Sequence, residues 1–357
     1  MAEIERASRR RTAIAALAAM VAILFAVVPA QPAGAKDKRA LVAMSQNLYL
    51  GSSLDPAIEA ETLPELLAAA ATIWGVVQFT DFPTRSEAIA DQIALSSPDL
   101  IGLQEVAEWT TSGPTGPGID FLDVLLEDLG DRGLSYSVAA VSDNALIGPV
   151  PLVAPCGGPI GACLLTFRDR DIILVNDDTP DLEVFDSQSG RYEAQAVLST
   201  PIGPISFDRG WTAVDGTFEG KKFRFLNTHL ETGAFPAEQE AQAQEFLEGP
   251  ANVGGAVVAA GDFNSRADGT TTASYAILTN SYFRDAWDTS DGEGLTCCQN
   301  GTLTNPTSEL GSRIDLILTH AAARALDVEV VGDAPFQGVP PLWPSDHAGV
   351  VATVRIH

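Results

Sequence analysis

Positive charge is scarce in this 357-residue chain: 21 Lys and Arg face 47 Asp and Glu, a formal net charge of −26. So acidic a chain repels polyanions and offers no counterion-releasing patch, which excludes ordinary electrostatic DNA binding as its source of affinity. Cysteine is also rare, limited to Cys156, Cys163, Cys297 and Cys298, and that spacing suits no zinc site. Internal repeats, linkers and low-complexity tracts are missing too, so nothing divides the chain into separate domains.

What the chain does have at its start is a leader. A basic stretch from Arg6 to Arg11 precedes an apolar run from Thr12 to Ala30, and Ala33-Gly34-Ala35 supplies a small-x-small cleavage signal. Residues 1–35 therefore read as a secretory signal peptide and the protein as secreted; an uncleaved membrane anchor is the alternative. Ser8-Arg9-Arg10-Arg11 hints at twin-arginine export, although Thr12-Ala13 stand where apolar residues should follow. Removing the first 35 of 357 residues leaves 322, from Lys36 to His357; with four Arg and two Glu gone, 17 basic and 45 acidic residues remain, a net charge of −28. Residues 36–357 form one expected domain. In an exported chain the four cysteines point to disulfides. Cys156 and Cys163 flank a Gly/Pro-rich loop and can close it, whereas adjacent Cys297 and Cys298 are not expected to bridge each other at ordinary geometry.

Apolar runs predict strands at residues 39–49, 99–104, 172–175, 223–228, 256–260, 314–318 and 350–356. Thr84-Arg85-Ser86-Glu87 has the form of a capping box opening a helix that stops at Ser97-Pro98, and further helices are predicted at residues 119–129 and 236–247. Residues 110–118 and the Gly/Pro-rich 147–161 read as loops. Strands outnumber helices and many lie within hairpin distance, which favours stacked mixed sheets with outer helices over a purely parallel sheet.

Four of these strands run into polar residues, Gln46-Asn47, Gln104-Glu105, Asn227-Thr228-His229 and Gly261-Asp262-Phe263-Asn264, and Ser345-Asp346-His347 stands at the start of a fifth. Strand ends are where a scaffold of this kind presents chemistry. Pooled with Asp315, they supply carboxylates, amides and two imidazoles. Hard oxygen ligands favour Mg²⁺, Mn²⁺ or Ca²⁺, and histidines spared from ligation can then handle protons and phosphate oxygens. That is the equipment of metal-assisted phosphoryl transfer.

The order of these motifs resembles the endonuclease/exonuclease/phosphatase superfamily, which includes deoxyribonuclease-like, abasic endonuclease-like and neutral sphingomyelinase-like enzymes. The specific pieces are Gly261-Asp262-Phe263-Asn264 and Ser345-Asp346-His347, reinforced by Leu103-Gln104-Glu105-Val106, Asn227-Thr228-His229-Leu230 and Arg313-Ile314-Asp315. The resemblance implies an α/β (α+β) fold, a four-layered α/β/β/α sandwich of two packed mixed sheets flanked by helices. It implies Glu105, Asn47 and Asp346 as metal ligands, His347 as general base, and Asp315 as the carboxylate fixing its tautomer. Asp262 would hold the attacking water or a metal, Asn264 and His229 would donate to non-bridging oxygens, and Arg209 in Asp208-Arg209-Gly210 would reach phosphate or order the site. The region between the Glu105 and His229 strands departs from the family pattern, which leaves Asp169, Asp171 or no residue at all open as the polar partner of His229.

The expected activity is hydrolysis of a phosphate ester, nucleic acid or phospholipid headgroup, by a phosphodiesterase that acts as a monomer without a stable protein partner. Alternatives are a phosphomonoesterase of the same fold and a non-catalytic secreted binding module. The second would be marked by loss of Glu105, Asp262 or His347, and all three are present. No exposed aromatic hairpin that would seat the protein on a membrane is visible in the sequence.

Overall fold

Strand β1 (Leu41–Asn47) is apolar and almost wholly buried, as befits a strand covered on both faces. It lies in the middle of its sheet, parallel to β2 (Leu100–Gln104) and antiparallel to β18 (Gly349–Ile356). The computed structural model describes residues 39–112, 118–152, 163–338 and 340–357; the expected signal peptide, 1–35, lies outside them. In the first sheet the order is β15 (Ala323–Val331), β18, β1, β2, β6 (Leu164–Asn176), β3 (Glu108–Ser112) and β4 (Ile119–Asp120), with β5 (Tyr136–Pro151) also paired to β6. The second sheet runs β13 (Arg284–Asp285), β14 (Asp315–His320), β12 (Ala256–Asp262), β11 (Lys221–His229), β10 (Gly210–Phe218) and β7 (Leu182–Arg191). Two hairpins stand apart from both: β8 (Val197–Thr200) with β9 (Gly203–Ser206), and β16 (Gln337–Gly338) with β17 (Pro341–Leu342).

Side-chain alternation builds the layers. Leu41 and Ala43 of β1 point inward and meet Phe223, Phe225, Val258 and Ile317 of the second sheet. Met44 points the other way, into a cluster with Trp74, Val77, Ile89 and Phe121 of helices α2 (Leu63–Phe79), α3 (Phe82–Ser96) and α4 (Phe121–Asp131). On the far side Leu226, Val257 and Leu316 pack under Phe246 and Leu278 of α5 (Pro236–Glu248) and α6 (Ser274–Ser281). Helices, sheet, sheet and helices form the four layers expected from the sequence. A short α1 (Asp55–Ile58) precedes α2.

The sheets are also pinned by one amide. Asn227 Nδ2 donates to Leu103 O (2.9 Å) and Ile172 O (3.1 Å), while its Oδ1 accepts from Gln104 Nε2 (2.6 Å). Its polar atoms are spent between the sheets, which separates it from the chemistry its neighbour His229 faces. A Cβ on Gly102 would sit 2.8 Å from Asn227 Oδ1, so glycine is required for this close approach.

Several local expectations change. The helix thought to open on a capping box at Thr84 begins at Phe82, with Asp81 at the N-cap and Pro83 in its first turn; Thr84 Oγ1 donates to Asp81 Oδ2 (2.6 Å). The complete capping box belongs to α2, where Thr62 and Glu65 each accept from the other's backbone. Thr110–Ser112 lie in β3 instead of a loop, and Ile147–Pro151 continue β5. Cys163 is disulfide-bonded, while Cys156 lies outside the described residues. Contrary to expectation, Cys297 and Cys298 are bonded to each other, with a cis peptide between them and their Cα atoms 3.0 Å apart.

Candidate active site

Three neighbouring strands of the second sheet end side by side. Register places His229 against Asp262 across parallel β11 and β12, and Asp262 against Asp315 across antiparallel β12 and β14. In the first sheet the parallel ends of β1 and β2 put Asn47 abreast of Gln104, with Glu105 next in the chain. Apolar runs bury the strand bodies, so the first polar residues fall where the sheets end. Tyr49 (φ 60°), Glu105 (φ 56°) and Asn264 (φ 49°) all adopt left-handed backbone here. Such conformations in non-glycine residues gather at sites whose surroundings over-determine them.

The two sheet ends join through hydrogen bonds. Asn47 Nδ2 donates to Glu105 Oε1 (3.1 Å) and Asp262 Oδ2 (3.2 Å), and its Oδ1 accepts from Tyr49 N (2.9 Å). Leu50 N donates to Glu105 Oε2 (2.8 Å). Ser345 Oγ donates to Asn47 O (2.8 Å) and accepts from His347 N (3.2 Å), which draws the Asp346-His347 turn onto β1. His347 Nδ1 lies 2.8 Å from Asp315 Oδ2, and its Nε2 lies 3.8 Å from Asp262 Oδ2 and 3.9 Å from Cys298 Sγ. Arg313, a possible structural partner of Asp315, pairs with Asp285 instead (2.6 Å). On the other flank His229 Nε2 is 3.1 Å from Asn264 Nδ2 and 3.5 Å from Asp262 Oδ2. Asn264 N donates to Asp262 Oδ1 (2.8 Å), closing an Asx turn that aims both side chains at one point. Arg209 Nη2 stands 3.6 Å from Glu231 Oε1. Glu105, Arg209, His229 and Asp346 line a groove of about 590 Å³.

This site holds more carboxylate than cation. Burial, then the charge of neighbouring Asp315, pushes Asp262 up to about 7. Burial likewise raises Glu105 and Asp169, and raises Asp171 well above the usual carboxylate range with Asp169 adding to it. Burial, reinforced by Arg209, holds His229 neutral far below its ordinary value. For His347 burial opposes the charge, but Asp315, Asp346 and Asp262 outweigh it and keep the imidazole protonated well above its usual range. Among the described residues, Asp169 Oδ1 and both oxygens of Asp171 are buried without a hydrogen-bond partner. A donor set of hard oxygens, short of positive charge, fits a divalent cation. Ligand atoms of Asp262, Asp315 and His347 already lie within 4.8 Å of one another.

The sequence model of the Endonuclease/Exonuclease/phosphatase family matches residues 73–347, from within α2 to His347. The chain belongs to this family. Similar solved structures include a family member from Leptotrichia buccalis (15% identity, 89% of this chain and 100% of that chain covered, TM-score 0.57). Others are the mannosyl-6-phosphatase of Bacteroides thetaiotaomicron (18%, 89% and 100%, 0.52) and D. rerio TDP2 complexed with single strand DNA product (16%, 88% and 98%, 0.52). At such identities they share the fold. No curated protein matches the chain. Membership makes this a hydrolase of phosphate esters in kind.

Within that family frame, two residues gain places that sequence reasoning did not assign. Asp171 is the carboxylate facing His229, its Oδ1 4.0 Å from Nδ1, while Asp169 accepts from Asn144 Nδ2 (3.3 Å). Arg85, fully buried, donates to Leu48 O (2.9 Å), Pro344 O (2.7 Å) and Thr80 O (3.0 Å), tying the turn after Asn47 to the turn before Asp346. Its guanidinium also lies over the Phe82 ring (5.0 Å). An arginine in a helix reads in sequence as solvated, and only the four carbonyls converging on it, Tyr49 O (3.3 Å) included, reveal otherwise.

Proposed function

We propose that the chain is a secreted, divalent-metal-dependent phosphodiesterase, exported by its first 35 residues. The observation that carries this is the row His229, Asp262, Asp315 on adjacent strands, with His347 bonded to Asp315 at 2.8 Å and next in the chain to Asp346, which lines the groove with Glu105 and His229. Glu105, Asp346 and Asn47 would hold the cation, which when bound offsets negative charge on the phosphoryl oxygens.

The protein's own groups divide the remaining work. Asp262 accepts a hydrogen bond from the attacking water and aims it at phosphorus. His347 Nε2 takes the water's proton as the new P–O bond forms and the ester P–O bond breaks, then returns it to the departing alkoxide. Asp315 fixes the tautomer of His347 and stabilises the imidazolium. Asn264, His229 and Arg209 donate to the non-bridging oxygens as charge grows there. Asp315, Asp346 and Asp262 favour the protonated form of His347; a cation held by Glu105 and Asp346 would counter the Asp346 share and favour the neutral imidazole that a base requires.

Hydrolysis of bis(p-nitrophenyl) phosphate by residues 36–357 should vanish in EDTA and return with Mg²⁺ or Mn²⁺. Persistent turnover in chelator would remove the cation from the reaction. N-terminal sequencing of protein recovered from culture supernatant should begin at Lys36; an intact leader would overturn export with cleavage.

A further inference from the structure

An apolar cavity of about 80 Å³ adjoins the catalytic groove. Leu66, Ala70 and Ile73 of α2 form one wall, Trp109 and Phe167 another, and Ile205 of the β8–β9 hairpin covers it. Among the described residues, Thr200 is the single polar one lining it. Leu54, Ile58, Leu198 and Phe207 line both this cavity and the groove that holds Glu105 and Asp346, so the two are continuous. One residue also links their walls: Leu50 O accepts from Trp109 Nε1 (2.9 Å), while Leu50 N donates to Glu105 Oε2 (2.8 Å).

We infer that this cavity receives a hydrocarbon portion of the substrate, which makes the substrate an amphiphilic phosphodiester. The inference rests on the hydrolase reading of the groove and adds the class of ester. Three observations support it. Apolar cavities stay dry and accept apolar ligands, and one of about 150 Å³ takes benzene, so this smaller space suits a few carbons of a chain. The covering hairpin pairs with neither sheet, and it presents Val197 (62% exposed) and Ile202 (54% exposed) to solvent. Ile202 also lines the cavity, so an apolar side chain joins its interior to the surface. Finally, the net charge of −26 disfavours a polyanion in the groove and leaves a single phosphoester with an apolar arm as the complementary ligand.

The test is a series of p-nitrophenyl alkyl phosphodiesters, methyl, propyl and hexyl, with Mg²⁺ and residues 36–357. KM should fall about fourfold per added methylene until the cavity fills, with kcat little changed. Ala57→Phe and Ala70→Phe, which occupy the cavity without touching the catalytic groups, should abolish that gain and leave methyl-ester turnover intact; Ala57 is the half-buried site and guards against misfolding of the Ala70 variant. Methyl-ester turnover with no gain along the series overturns the inference and leaves the hydrolase reading standing. Absence of turnover for every member overturns that reading and the inference with it. Monomeric short-chain phosphatidylcholine against long-chain phosphatidylcholine vesicles then tells a soluble amphiphile from a bilayer lipid as the source.

Discussion

Asp315 spends one carboxylate oxygen on His347 Nδ1 and leaves the other without a partner in a buried site. Replacing it with Asn keeps the shape but presents an amide that no longer stabilises the imidazolium. Asp315→Asn should therefore lower kcat by about 10²- to 10⁴-fold with KM little changed, measured by steady-state kinetics on bis(p-nitrophenyl) phosphate. Asp262 makes a prediction about pH. Its pKa rises from 3.8 to about 7 on folding without metal, so between those values the folded chain binds a proton that the unfolded chain has released. Stability from this group is full in acid and is lost as pH rises toward about 7. Thermal melts in EDTA should show that downward slope in the wild type and a weaker one in Asp262→Asn. Arg85→Ala should cost about 3–5 kcal/mol in urea unfolding, because four buried carbonyls lose their donor. Arg85→Lys should recover part of the stability but require more Mg²⁺ for half-maximal activity.

At the scale of elements, Asn227 separates what a motif displays from what it does. It stands two residues before His229 on the same strand, yet its amide fastens the sheets together. Asn227→Leu should cost about 1–3 kcal/mol by leaving Leu103 O and Ile172 O unpaired, with kcat falling less than in Asp315→Asn. Strands were legible because apolar runs ending in polar residues carry both the element and its terminus, as in Ala256–Asp262. Helix α2 went unread although Thr62-Leu63-Pro64-Glu65 contains its capping box, because its alanine-rich body gives little helical contrast between faces. The β8–β9 hairpin and the Cys297–Cys298 bond were hidden for a different reason: both depend on local backbone geometry that composition does not encode. The carboxylate facing His229 needed the β6 register to choose Asp171 over Asp169.

Across the whole molecule, two mixed sheets bring residues from Asn47 to His347 to one end, and the polar strand ends were enough to read that convergence. Acidity, spread through the chain, becomes a property of the site: buried carboxylates crowd the end of the sheets where Arg209 and His347 are facing positive groups. The most direct measurement is turnover of bis(p-nitrophenyl) phosphate with Mg²⁺ by residues 36–357 beside His347→Ala, with circular dichroism on both. A correctly folded variant slowed by at least ~10²-fold is the predicted result, since it has lost its proton acceptor. A folded His347→Ala protein with unchanged turnover would contradict the assignment of this site as the catalytic centre.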